Sequence, residues 1–303
     1  MPNPDFSARD KVVKHNVYAS VRRRDGLPHD LFAHYWRDVH STLCSRLPGL
    51  NFYVQQHFDR DHFANFWPVA EGVGRIDAPL DGSAELGFAN LEEQAIFAEA
   101  GKILYSDESN FIGEAVAYNL PNGSLTFVDR DADAHRNGPD PFHRIHVYMS
   151  RKPDQDSSVW LKEACTSLAT HDSVVRLKLH LPEPYDNTHP APPSPNVDHI
   201  VGPDRLNLAI AEIAFTSVLA ARTLFSSRAF KSVHSEQARY IEAIGVYRVT
   251  GFYTFVRDGQ PTLAGVRGSR PAELIQTLGA ANQVADEVVS LFGILPAAGS
   301  AGF

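Results

Sequence analysis

Cysteine and methionine are both scarce, at two residues each in a chain of 303. Cys44 and Cys165 sit among apolar neighbours in helix-like segments, without the basic partner or exposed helix start that a nucleophilic thiolate needs. Two such thiols suit a reduced cytoplasm rather than a disulfide framework. No run approaches the roughly 18 continuous apolar residues of a spanning helix, so no membrane partner is expected. The opening Met-Pro-Asn-Pro-Asp has neither a basic start nor an apolar run, and no secretory signal is read there. Positive charge is in deficit, with a formal net charge of −8. Basic residues gather only at Arg22-Arg23-Arg24, a solvated turn or, less commonly, a clamp for phosphate or carboxylate; a nucleic-acid partner is not expected. No glycine-rich loop follows a strand, which argues against a nucleotide cofactor. Fourteen histidines raise the question of metal. Neither Asp59, Asp61 and His62 nor His189, Asp198 and His199 has zinc-motif spacing, and no axial haem ligand motif is seen. The expectation is no metal and no cofactor.

What is present begins with an apolar content of 43%, enough for one large core or two ordinary ones. An internal echo organises it. Val17-Tyr-Ala-Ser20 reads against Val147-Tyr-Met-Ser150, each in a strand-like run followed by basic residues and a helix. Asp107-Glu-Ser-Asn-Phe-Ile112 precedes a strand at 114 to 120, as Ser235-Glu-Gln-Ala-Arg-Tyr-Ile241 precedes one at 245 to 256. Each half then reads strand, helix, strand, strand, helix, strand, the split βαβ arrangement. Strands are expected near 13–22, 50–58, 83–89 and 113–120, then 142–150, 173–181, 205–214 and 245–256. Helices are expected near 28–46 and 91–103, then 156–170 and 216–231. Residues 120 to 141 are turn-rich and read as a linker. A lone sheet of this kind has one face bare, and two packed face to face bury both. The expected fold is therefore α+β: two ferredoxin-like βαββαβ repeats packed sheet to sheet as an intrachain pseudo-dimeric barrel, with a helix after 268. Domain limits follow as 1–125, a linker at 126–141, a diverged repeat at 142–258, and a helix with tail at 259–303, of which Ala297 to Phe303 reads as loosely tied.

Strand alternation selects the pocket. Val175, Leu177 and Leu179 oppose Arg176, Lys178 and His180, so one set faces the helices and the other the space between sheets. By the same alternation His146, Tyr148 and Ser150, then Asn16, Tyr18 and Ser20, and finally Tyr53, Gln55 and His57 are expected to face inward. Two long connections, 58 to 80 and 183 to 203, occupy equivalent places as lids; Trp67, with Phe58, Phe63 and Phe66, is expected to pack inward as an apolar cover.

One stretch carries a family signature. Leu31-Phe-Ala-His-Tyr-Trp-Arg-Asp-Val-His40, followed by Leu47-Pro-Gly-Leu50 and the strand-like Asn51-Phe-Tyr-Val-Gln-Gln-His57, resembles EthD-type domains, in which a His follows four residues after a Tyr-Trp pair. The resemblance implies a dimeric α+β barrel that encloses a pocket, used for cofactor-free chemistry on aromatic or other hydrophobic carbonyl compounds. On that basis the leading expectation is a lyase or isomerase of decarboxylating, cyclising or dehydrating type. His40, His57 and His146 are candidate acid/base groups and Tyr18, Tyr53 and Tyr148 candidate oxyanion donors. Arg176 and Lys178 would hold a substrate carboxylate, and Trp36, on the helix face it shares with His40, would contact substrate with Trp67. The alternative for each is a satisfied core group. A cofactor-independent oxygenase and a non-catalytic binding or stress protein stay open. The expected partner is a small-molecule substrate, with the chain a monomeric pseudo-dimer or a homodimer in the cytoplasm. The helix at 158–168 lacks the motif histidine, so the halves are expected to differ in role.

Overall fold

The computed structural model describes residues 4–190 and 192–292. In chain order its strands are β1 (His15–Arg23), β2 (Phe52–Asp59), β3 (Gly74–Arg75), β4 (Gly82–Phe88), β5 (Ile112–Leu120), β6 (Leu125–Asp129), β7 (Asn137–Pro139), β8 (His143–Arg151), β9 (Val174–His180), β10 (Leu208–Phe215), β11 (Ile241–Arg257) and β12 (Gln260–Pro261). They form one sheet in the order β5-β1-β4-β2-β11-β8-β10-β9-β6, with β3, β7 and β12 added at β11. Among the long strands within 15–120 the order is fourth, first, third, second, and within 143–257 it is the same. This is the order that a split βαβ unit produces.

Alternation along each strand divides most of the apolar residues among three large cores, with a small fourth of Phe52, Val54 and Phe252. On the outer face of the second half, Ile145, Val147, Leu177, Leu179 and Ile213 pack against Leu161, Leu168, Leu224 and Phe230 from the helices Ser158–Ala169, Val218–Phe225 and Arg228–Tyr240. On the outer face of the first half, Tyr53, Ala84 and Leu86 meet Phe32 and Trp36 of the helical stretch 29–44. Between the sheet's own inner surfaces lie Tyr18, Phe58, Val116, Tyr118, Tyr148 and Ile210. The sheet thus curls until β1 meets β8 across the interior. Helices cover it from outside, because each presents one apolar stripe.

β11 is the seam. Its first part pairs with β8 from Ile241 to Arg248, and its later part pairs with β2 from Arg248 to Val256. A strand of 17 residues cannot serve two neighbours without bending, and its register shifts between Val249 and Gly251 and again between Thr254 and Val256. Gly251 suits the first shift, since a Cβ there would lie 2.5 Å from the Tyr253 hydroxyl.

Several expectations change in detail. The linker is structured: β6 extends the sheet at β9, and β7 pairs with β11. The helix expected at 216–231 is two, because Ser227 caps a new start by accepting from the Phe230 amide. The single helix read at 28–46 contains a π-helical turn, Trp36–His40. The helix after 268 runs Ser269–Leu278 and ends at Gly279, whose φ of 62 is a left-handed stop. The tail 297–303 lies outside the described residues. No helix among the described residues is long and apolar enough to cross a membrane.

Candidate functional site

Polar side chains from both halves meet inside the barrel. Tyr18 on β1 bonds His146 Nδ1 at 2.7 Å and the Tyr148 hydroxyl at 2.8 Å. His146 Nε2 is 2.8 Å from Gln56 Oε1, and Gln56 Nε2 donates to Glu212 Oε2 at 3.0 Å. The chain has one direction. Glu212 is a carboxylate that only accepts, so the Gln56 amide nitrogen must face it and the amide oxygen must face His146. His146 therefore carries its proton on Nε2, its Nδ1 accepts from Tyr18, and the Tyr18 oxygen accepts from Tyr148. Burial would raise the Glu212 carboxyl, but Arg176 and Arg144 outweigh it and hold the group well below the usual carboxylate range. Burial pushes His146 down to about 3, so the ring is neutral at pH 7. Tyr18 and Tyr148 are raised, chiefly by burial, and keep their protons.

A second cluster adjoins the first. Lys178 on β9 donates to both oxygens of Glu85 on β4, at 2.6 and 2.8 Å. Asn16 Nδ2 and Ser124 Oγ donate to Glu85 Oε1 at 2.8 and 3.0 Å. With its hydroxyl proton on Glu85, Ser124 accepts from His180 Nδ1 at 2.8 Å. That leaves His180 Nε2 as a bare lone pair, buried and without a partner, on a ring that burial lowers to about 3. The Tyr18 and His180 rings are 4.9 Å apart, which links the clusters. Asn16, Ser124 and Lys178 also line a cleft of about 270 Å3 with Asp10, Phe52 and Thr126.

Glu85, His180 and Glu212 bring ligand atoms within 4.8 Å of one another, close enough for a shared ion. Their other bonds argue against one. Lys178, Asn16 and Ser124 occupy Glu85, while Arg144 and Gln56 occupy Glu212. The cation in contact with Glu85 is the Lys178 ammonium, with guanidinium groups beside Glu212.

Other expected site residues lie elsewhere. Tyr53, Gln55 and His57 belong to the helix-covered face, because β2 turns Phe52, Val54, Gln56 and Phe58 inward instead. His57 stacks on Trp36 at 4.6 Å, which also fixes Trp36 as a packing residue. Tyr53 receives a hydrogen bond from Gln55 Nε2 at 2.6 Å. His40 reaches across helices to Asp107 Oδ2 at 2.8 Å, and Tyr35 donates to the other oxygen at 2.6 Å. Trp67 is buried against Phe225 and Phe230, while Phe63 and Phe66 are exposed rather than tucked inward. Arg176 and Lys178 do face inward, but the protein's own carboxylates already engage them.

Sequence reasoning missed Gln56, Glu85, Arg144 and Glu212. One signal was available: Glu212 is a lone charge inside Leu208-Ala-Ile-Ala-Glu-Ile-Ala-Phe215, and a carboxylate at the centre of an apolar strand requires a buried partner. Choosing Arg144 as that partner needed the register of β8 on β10.

The EthD domain pattern matches residues 24–115, the stretch that holds the π-helical turn, β2, β3 and β4 and the start of β5 but not β1. No curated protein matches the chain. Among solved structures, a protein of Fusobacterium nucleatum described provisionally as a monooxygenase has 8% identity and a TM-score of 0.50, the match covering 82% of this chain and 97% of that one. A Lactobacillus acidophilus protein with the same provisional description has 9% identity and a TM-score of 0.46 over 82% of this chain and 98% of its own. An anthrone oxidase-like protein has 10% identity and a TM-score of 0.47 over 83% and 96%. At such identities the first of these shows the fold alone: an antiparallel sheet with external helices, of the dimeric α+β barrel kind.

Proposed function

We propose that the chain is a lyase or isomerase that moves a proton next to the carbonyl of a small aromatic or hydrophobic compound, using the interior Tyr and His residues. The observation that supports this reading is the one-way chain Tyr148 to Tyr18 to His146 to Gln56 to Glu212. A structural core needs its polar groups satisfied, not aligned. Here a proton accepted by the Tyr18 oxygen can be matched by Tyr18's own proton passing to His146 Nδ1. The resulting imidazolium would face the Glu212 charge through Gln56, the carbon's electron pair would pass to the carbonyl oxygen as an enolate, and Tyr148 would turn its single proton from Tyr18 to that oxygen. Buried surroundings strengthen each of these interactions. Substrate would enter from the cleft at Lys178, whose wall residue Asn16 is two positions from Tyr18 on the same face of β1.

The architecture behind this reading is a fused pair of ferredoxin-like units, 1–125 and 142–258, with the barrel formed within one chain. Equal strand order in the two halves and the β2–β11 seam support it.

The test is deuterium incorporation from heavy water into a panel of aryl ketones and β-keto acids, followed by NMR. Tyr18→Phe and His146→Gln should each slow exchange by about a hundredfold to ten-thousandfold. No exchange above buffer for any member of the panel, or full rates in both variants, would sink the assignment. One observation favours a non-catalytic binder instead: Phe58, Val116 and Ile210 pack into the same inner core as Tyr18 and Tyr148, and none of the four cavities described is lined by those tyrosines or by His146. An oxygenase, the description given to the Fusobacterium protein, would lose turnover under nitrogen.

A further inference from the structure

Outside the barrel, the segment that follows β2 and the helix Val218–Phe225 border an open cavity of about 480 Å3. Phe63, Phe66 and Phe225 supply aromatic walls, Ala64, Pro68, Val218 and Ala221 small apolar ones, and His143 and Arg222 the main polar groups. That volume lies in the range of small-molecule sites, as does the composition: mostly apolar, with a few polar groups to orient a ligand.

Three features of these residues stand out, although Phe63 stacks on the His62 ring at 4.4 Å and Phe66 lies edge-on to Phe225. Phe63 is 78% exposed and Phe66 51% exposed, so two large rings are held in water beside an apolar hollow. His143 is only 5% exposed, yet its Nδ1 is buried without any hydrogen-bond partner. The Arg222 side chain is exposed, with no ion pair or side-chain hydrogen bond among the described residues. The first and third would be satisfied by the same ligand: rings want a planar apolar partner, and an unpaired guanidinium wants an anion.

We infer that this cavity binds a planar aromatic anion, a one- or two-ring carboxylate whose ring lies between Phe63, Phe66 and Phe225 and whose carboxylate meets Arg222. His143 lies in the wall as a second polar contact. Burial pushes its ring down to about 4, Arg248 and His62 act in the same direction, and Asp140 opposes them, so at neutral pH it is an uncharged imidazole. The site shares no lining residue with the interior cleft at Lys178, so its occupancy does not depend on the proposed chemistry.

The probe is 2-naphthoate, titrated calorimetrically into the intact chain, with naphthalene-2-carboxamide as the uncharged isostere. The expected result is one saturable equivalent, with the acid bound about tenfold more tightly than the amide, the gain of one charge-assisted contact. Arg222→Met should bring the acid down to the level of the amide and leave the amide unchanged. Phe63→Ser should weaken both about equally. These two side chains are exposed, so both variants are expected to fold, and unchanged thermal midpoints check this. Absence of saturable binding overturns the inference, as does equal affinity for acid and amide, or wild-type binding in both variants.

Discussion

His57 and His146 are both buried imidazoles pushed down to about 3, on opposite faces of the same sheet. On the helix-covered face of the first half, His57 is stacked on Trp36 and edge-on to Tyr253, with one long bond of 3.3 Å to Gln55. On the inner face, His146 is bonded through both nitrogens to groups from two other strands and connects to a buried charge. The same residue type is packing in one place and part of a directional network in the other. The EthD-like motif therefore marks how the helical stretch 29–44 is fastened to the sheet, while the inner network draws on both halves. The π-helical turn belongs to that fastening: Gln55 Nε2 donates to the Trp36 carbonyl at 3.2 Å.

The comparison can be broken most forcefully at Glu212. Glu212→Ala leaves Arg144 buried with one carboxylate partner fewer and removes the anchor of Gln56. A loss of about 3 to 5 kcal/mol in unfolding free energy is expected from denaturant titration. On the outer face, Gly82→Ala places a Cβ 2.5 Å from the Trp36 ring and 2.6 Å from the Gln56 carbonyl. It should cost about 1 to 3 kcal/mol, the usual effect of overpacking, and a loss below about 0.5 kcal/mol would show that Trp36 is loosely held.

Acid should act on both faces alike. The folded chain keeps His57 and His146 neutral, whereas the unfolded chain takes up protons near the ordinary value of 6.5. Their contribution is complete above about 6.5 and is lost progressively as pH falls toward about 3, with a slope of about 1.4 kcal/mol per pH unit for each ring. His57→Gln should remove one proton from that slope between pH 6.5 and 5. An unchanged slope would mean that His57 is protonated in the folded state. The smallest effect is expected at His40: His40→Ala should cost about 1 kcal/mol through the lost bond to Asp107 and leave deuterium exchange intact. A large loss of exchange with unchanged stability would return the chemistry to the motif face.

Much of the fold was legible because its signals are local. The alternation of Leu177 and Leu179 against Arg176, Lys178 and His180 survives as the outer and inner faces of β9, while a register shift puts Val174 rather than Val175 into the outer core. The same rule placed Tyr18 and His146 inside. It misplaced Tyr53 and His57 because β2 reads Phe52-Tyr-Val-Gln-Gln-His-Phe58, where apolar and polar residues stand at both parities. Only the seam with β11, and the helix laid over that face, decides which parity points inward. Gln56 and Glu85 escaped for a similar reason, since each is unremarkable along the chain and becomes informative through a partner 156 and 93 positions away.

By itself, then, the sequence determined the element order, the strand faces where alternation is clean, and the EthD-like stretch that covers the first half, because these depend on side-chain periodicity and nearest neighbours. Tertiary structure decided which polar residues meet, in which direction their hydrogen bonds run, and that Phe63 stands exposed rather than covering a core. Those outcomes depend on register across the seam and on the curl that brings β1 to β8, and neither is written in any single segment.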